Sequence, residues 1–113
     1  SQLVINRKTF SECLSRVSVL SSEKYKGVRI LTSENSMNVS ANNPEKEQGE
    51  ENISCDYKGE QIDIAFNVNY LQEILSTLDS ENIEINFFGS DKSCLITDPN
   101  SADLKYVVMP LLI

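Results

Sequence analysis

The 113-residue chain is one domain's worth of sequence, with 17 Asp/Glu against 10 Lys/Arg and a net charge of −7. It has no His, three Cys and four Gly. This excludes a Ser-His-Asp or Cys-His nucleophile and a mixed Cys/His zinc site within the chain, and leaves too few Gly for a phosphate-cradling loop. The acidic balance argues at first sight against nucleic acid as a partner.

Taken in order, Leu3-Val4-Ile5 is a short strand. Phe10, Cys13, Leu14, Val17 and Leu20 then recur at helical spacing, with Asn6 placed to cap the helix. Val28, Ile30 and Thr32 alternate as a strand, Glu34-Asn35-Ser36 reads as a tight turn, and Met37, Val39 and Ala41 alternate again. Asn42-Asn43-Pro44 breaks that strand and an acidic loop, Pro44 to Glu51, follows. Ile53, Cys55 and Tyr57 form one further strand, stopped at Gly59.

The second half repeats the pattern. Ile62, Ile64 and Phe66 alternate, Asn67 caps a helix carrying Tyr70, Leu71, Ile74, Leu75 and Leu78 on one face, and Ile83, Ile85 and Phe87 alternate. Gly89-Ser90-Asp91 and Asp98-Pro99-Asn100 are turns around a short strand, Cys94 to Ile96, and the chain finishes on Leu104 to Leu111. The spacing predicts an α+β domain of two βαβββ pseudo-repeats, about 1–58 and 59–113. Both helices should lie on antiparallel sheets with Arg7, Ser11, Ser15, Gln72, Glu73 and Ser76 left wet.

Charge is unevenly spread. Residues 1–29 carry Arg7, Lys8, Arg16, Lys24, Lys26 and Arg29 against Glu12 and Glu23, a balance of +4, and the remainder carries −11. A basic first helix is either an ordinary solvated face or a strip that meets phosphates without reading bases. The acidic loop is either a solvated hairpin or a patch that registers a basic partner surface. No metal is expected, because the Asp-x-Asp-x-Asp-Gly spacing of a calcium loop is absent. Cys13 and Cys55 sit on apolar stripes as inert thiols, and Cys94 lacks a base to activate it. An odd cysteine count without framework spacing fits a reducing compartment. The longest apolar run, Tyr106 to Ile113, falls far short of the ~20 residues of a membrane span, and a soluble protein is expected.

The C-terminus is the exceptional feature. Tyr106 to Val108 suit a final strand, but Pro110 cannot donate to a ladder and should end it. Leu111, Leu112 and Ile113 then lie beyond the strand and must pack into, or help form, an apolar groove suited to a short peptide.

The ending Tyr106-Val107-Val108-Met109-Pro110-Leu111-Leu112-Ile113 resembles the closing Val-Met-Pro signature of the bacterial sliding clamp, the beta subunit of DNA polymerase III. Val17 to Arg29, Ala41-Asn42-Asn43-Pro44-Glu45 and Phe66-Asn67-Val68-Asn69-Tyr70 are similar to stretches of that family's third domain, in the same order. The resemblance implies the third domain of a three-domain, non-catalytic subunit that needs no cofactor. Two such subunits close into a ring around duplex DNA in the bacterial cytoplasm and make replication processive. It also implies docking of the replicative polymerase, the clamp loader and repair proteins through a short linear motif.

Carried over by residue, the peptide groove would use Asn67, Tyr70, Ser93, Val107, Val108, Met109, Pro110, Leu111, Leu112 and Ile113. The subunit seam would use Val19, Leu20, Glu45, Glu47, Glu50 and Glu51. Non-specific DNA contact would rest on Arg7, Lys8 and Arg16 of the first helix, since the second has no basic residue on its wet face. Two positions depart from the family: Leu112 stands where many members carry Arg, and Asp91 where an apolar groove residue is common. Without its partner domain the chain is expected to be monomeric. The alternatives are a stand-alone peptide-binding module outside any ring, and a hydrolase or transferase using the acidic cluster with a metal, which the missing His and carboxylate spacing disfavour.

Overall fold

A computed structural model of the chain describes residues 2–18, 27–41, 50–89 and 92–111, without the side chains of 101–104. The element order is β1 (Gln2–Asn6), α1 (Arg7–Ser18), β2 (Gly27–Ser33), β3 (Ser36–Ala41), β4 (Glu50–Ser54), β5 (Asp56–Tyr57), β6 (Asp63–Asn67), α2 (Val68–Thr77), β7 (Asn82–Phe87), β8 (Cys94–Asp98) and β9 (Ser101–Val108). The two βαβββ units are therefore present, with one added short strand, β5.

The units are interlocked. One antiparallel sheet runs β5-β1-β7-β8-β9 and the other β4-β3-β2-β6. The first strand of each half thus pairs with the other half: β1 lies against β7, with Leu3 opposite Ile85, and β6 against β2, with Ile64 opposite Ile30. Alternation fixes which face each side chain takes, and both sheets turn their apolar faces inward onto one core. Phe10, Leu14, Ile30, Met37, Leu71, Leu75 and Ile83 are among its fully buried members. The Cα radius of gyration is 13.0 Å, the size of a close-packed chain of this length.

Each helix begins where an Asn ends a strand. The Asn6 side-chain oxygen accepts from the Thr9 backbone N–H at 2.9 Å, and that of Asn67 accepts from Asn69 and Tyr70 at 3.0 and 3.2 Å. These caps satisfy backbone donors that the first turn would otherwise leave open. The buried stripe of α1 is Phe10, Cys13, Leu14 and Val17, and that of α2 is Val68, Leu71, Ile74 and Leu75. Leu78 falls just past the end of α2 and is buried there.

Two expectations are corrected. Ile53, Cys55 and Tyr57 do not share a strand: Ile53 is in β4, Tyr57 is in β5 of the other sheet, and Cys55 lies between. The chain changes sheets there because Asn35, left-handed at φ 56°, takes over the backbone groups. It accepts from Cys55 N–H, donates to the Tyr57 carbonyl, and accepts from Tyr57 N–H through its side chain. Alternation survives the crossing because both strands face the same core. The second correction concerns the helix faces. Ser11 and Gln72 are half-buried and bonded to each other, and the Gln72 amide also donates to the Ser11 carbonyl and Ser15 Oγ. They form a polar seam between α1 and α2; Ser15, Glu73 and Ser76 remain exposed.

Thr32 closes the β2–β6 ladder at its end. Its backbone N–H donates to the Ile62 carbonyl, and its buried Oγ1 accepts from the Ile62 N–H, both at 2.8 Å.

Candidate peptide-docking site

The sheets end side by side on two edge strands, β9 and β6. An open edge presents unpaired backbone groups. Here the tail after β9 crosses to β6, and the Leu111 N–H donates to the Ala65 carbonyl at 2.8 Å. Pro110 ends the strand as expected: β9 stops at Val108, and Pro110 has no N–H to offer. Two residues after Ala65, Asn67 opens α2, so the tail and the first turn of α2 meet at one place.

The side chains gathered there are unusually apolar for a surface. Tyr70 is 54% exposed, Val107 62%, Met109 69% and Leu111 40%. Cys94 is opposite Val108 in the β8–β9 ladder, and continuing that register puts Ser93 beside Met109. The structure therefore assembles Tyr70, Ser93, Val107, Met109 and Leu111 from three separate stretches of sequence. Adjacent exposed apolar groups of this kind mark a binding surface more often than chance decoration.

Other expected groove residues behave differently. Val108 is buried, its side chain facing the core, so it supports the surface from beneath. The Asn67 side-chain oxygen is committed to the helix cap, and that cap holds the turn that carries Tyr70. Pro110 is half-buried in the bridging tail. Leu112, Ile113 and the departing Asp91 lie outside the described residues, as do Val19, Leu20, Glu45 and Glu47 of the expected seam.

The basic residues of α1 are largely occupied. Arg16 forks onto the Glu51 carboxylate, with Nε–Oε2 at 2.9 Å and Nη2–Oε1 at 2.8 Å. That hydrogen bonding holds Glu51 below its ordinary carboxylate range and raises Arg16. The sequence reading put these two on different surfaces, DNA and subunit seam; the structure pairs them with each other. β3 carries β4 alongside α1 closely enough for their side chains to meet, a proximity that 35 residues of separation hide in the sequence. Arg7 is also tied down, its Nε donating to the Ser80 carbonyl at 2.8 Å. Lys8 is exposed and has no ion pair among the described residues. Glu50 is exposed at the start of β4, the outer strand of its sheet.

The thiols have no activating environment. Burial pushes Cys13 up to about 11, with Glu51 adding to the rise and Arg16 opposing it, and pushes Cys94 up to about 12. Cys55 is half-buried and also raised, by burial first and Asp56 second. Among the described residues no group of three or more His, Cys, Asp or Glu is placed to hold a metal, and no helix is long and apolar enough to cross a membrane. An open depression of about 350 Å³ on the outer face of β7–β9 is lined by Glu84, Leu95, Thr97, Asp98 and Lys105. It runs from the β8–β9 turn to the Asn86–Leu95 pair, the row next to Ser93 and Met109.

Fold and site together define a clamp-type domain: two interlocked βαβββ units, paired helices, and a C-terminal tail that sews the sheet edges into an apolar surface. The family model described as "DNA polymerase III beta subunit, C-terminal domain" matches residues 1–112, and the chain belongs to that family. It is 38% identical over 109 residues to the beta sliding clamp of Pseudomonas putida, covering 96% of this chain and 30% of that protein. It is 40% identical over 100 residues to the Escherichia coli beta sliding clamp, covering 88% and 27%. The crystal structure of the DNA polymerase III subunit beta from Pseudomonas aeruginosa superposes with a TM-score of 0.94 at 36% identity, covering 99% of this chain and 31% of that one. The same clamp has been solved bound to griselimycin. The chain thus spans about 30% of the length of the curated relatives it matches.

Proposed function

We propose that the chain is the peptide-docking and ring-building C-terminal domain of a sliding clamp that keeps a replicative polymerase on duplex DNA. The observation that carries this reading is the collection of Tyr70, Val107, Met109 and Leu111, all exposed, where the tail bridges β9 and β6. A flexible Met, an aromatic ring and a pair of aliphatic side chains, all exposed, can mould to a short apolar segment. That the P. aeruginosa clamp has been solved with griselimycin supports a fold able to take a ligand.

In this reading polymerase, clamp loader and repair proteins present such a segment to the surface. A second subunit of the full-length protein meets the seam, through Val19, Leu20, Glu45, Glu47 and Glu50. Glu51 adds to that seam only by sharing its carboxylate with Arg16. DNA passes the α1–α2 face without specific contact. Its polar centre of Ser11, Ser15 and Gln72 carries no charge, and Arg7 and Arg16 are engaged within the chain. Weak phosphate attraction suits a ring, since each strong contact would oppose sliding.

The test is a titration of the ¹⁵N-labelled chain with an acetylated Leu-Ser-Leu-Phe peptide. Amide shifts should concentrate at Tyr70, Met109 and Leu111, with weak binding worth roughly −5 kcal/mol. Absence of shifts at these amides at millimolar peptide would overturn the reading.

A further inference from the structure

Phe88 follows β7 directly and is 61% exposed, a large aromatic left in water on an acidic, polar protein. Its place follows from register. Phe87 is opposite Cys94 and Cys94 opposite Val108, so Phe88, Ser93 and Met109 are the residues just beyond the paired ends of β7, β8 and β9, and continuing both registers by one residue aligns them in one row. The next row on the same face is Asn86, Leu95 and Val107, because side chains two residues apart share a face. Phe87 and Val108, between the rows, point inward and are buried. Strands lie ~5 Å apart, which separates Phe88 from Met109 by about 10 Å, with only the small Ser93 between them. Two tall apolar side chains flanking a short one make a slot, closed along one side by Leu95 and Val107.

We propose that Phe88 is a further specificity-determining residue of the peptide-docking surface. It forms, with Ser93 and Met109, a subsite for one additional aromatic side chain of the docked peptide. The proposal rests on the docking reading given above. The subsite is continuous with the Tyr70–Met109–Leu111 surface through Met109, so a peptide seated there reaches it by extending one or two residues. An aromatic occupant fits because an offset or edge-on ring contact with Phe88 adds to the apolar area that it covers. Sulfur at the ring edge, from Met109, favours the same occupant.

The experiment measures affinities of the acetylated Leu-Ser-Leu-Phe peptide and of forms lengthened at either end by Ser-Phe or by Ser-Ser. Native chain, Phe88→Ser and Phe88→Tyr are compared, each checked for an unchanged thermal midpoint. At one end, Ser-Phe should bind the native chain about three- to tenfold tighter than Ser-Ser, the range expected of an aromatic pair. That preference should vanish in Phe88→Ser and return in Phe88→Tyr, while the unextended peptide binds all three alike. If the unextended peptide binds but neither end shows a preference, or the preference survives in Phe88→Ser, this proposal falls and the docking reading stands. If the unextended peptide does not bind the native chain, both fall. Sedimentation showing a native dimer that Phe88→Ser dissociates would assign the face to a second copy and overturn the proposal.

Discussion

Replacing Asn67 by Ala and, alongside it, by Asp separates the cap from a direct contact of the amide with peptide. Its single side-chain oxygen accepts from two backbone donors, Asn69 N–H at 3.0 Å and Tyr70 N–H at 3.2 Å. Both bonds are exposed, so water replaces them in part, and the loss should be about 1 kcal/mol, the usual cost of deleting an Asn cap. With an unfolding entropy near 2.1 cal/mol/K per residue, 113 residues give a slope of about 0.24 kcal/mol/K and a fall of roughly 4 °C in Tm. The cap also fixes the turn that carries Tyr70, and Leu111 is bonded two residues upstream at Ala65. Peptide affinity should therefore drop as well. Asn67→Asp keeps an acceptor at the same place and puts a negative charge at a helix N-terminus, where it is favourable, so it should restore both stability and binding. The assays are thermal unfolding followed by circular dichroism and the peptide titration. If Asn67→Ala unfolds at the native temperature, the capping argument is wrong. If Asn67→Asp is stable but binds peptide as poorly as Asn67→Ala, the amide itself contacts the peptide and the positioning role is refuted.

Two further outcomes test the fold. Thr32→Val keeps the shape of the side chain but orphans the buried Ile62 N–H, so it should cost about 2 kcal/mol and roughly 8 °C, whereas Thr32→Ser, which keeps the hydroxyl, should lose less. Greater stability of Thr32→Val than of Thr32→Ser in urea denaturation would contradict this. The buried thiols predict alkaline weakening. Their folded pKa values of about 11 and 12 lie above the ordinary 9.0, so the unfolded chain sheds those protons first and stability falls as pH rises from about 9 toward 11–12. Over that range Cys94→Ala should show a shallower decline of unfolding free energy with pH than the native chain; equal slopes would show that Cys94 does not titrate as described.

Much of this was legible in the sequence because it is local. Period-two alternation marked the strands around Ile30, Val39, Ile64 and Ile85, and the spacing of Phe10, Leu14 and Val17 marked α1. Asn6 and Asn67 announced both helix starts, since a cap needs only the next three residues. Pro110 fixed the end of β9 by lacking a donor. The exposed row of Val107, Met109 and Leu111 was foreshadowed by an apolar run too long for the strand that it followed.

What depended on distant partners was not legible. Alternation tells a strand which face to bury but not which neighbour to take. Nothing local shows that β1 joins β7 some 80 residues away, or that the two halves exchange their first strands. The crossing at Cys55 was hidden for the same reason, because Asn35 breaks the ladder from another hairpin while the apolar period runs on. Composition correctly gave −7 but could not say that Arg16 spends its charge on Glu51. Nor could it place Phe88 and Met109 at the same end of β7–β9, since only the register of two ladders brings those strand ends together. The sequence by itself determined the elements, their faces and the apolar tail. Tertiary structure decided which edges meet, because the energy of pairing two edges belongs to both strands and is written in neither.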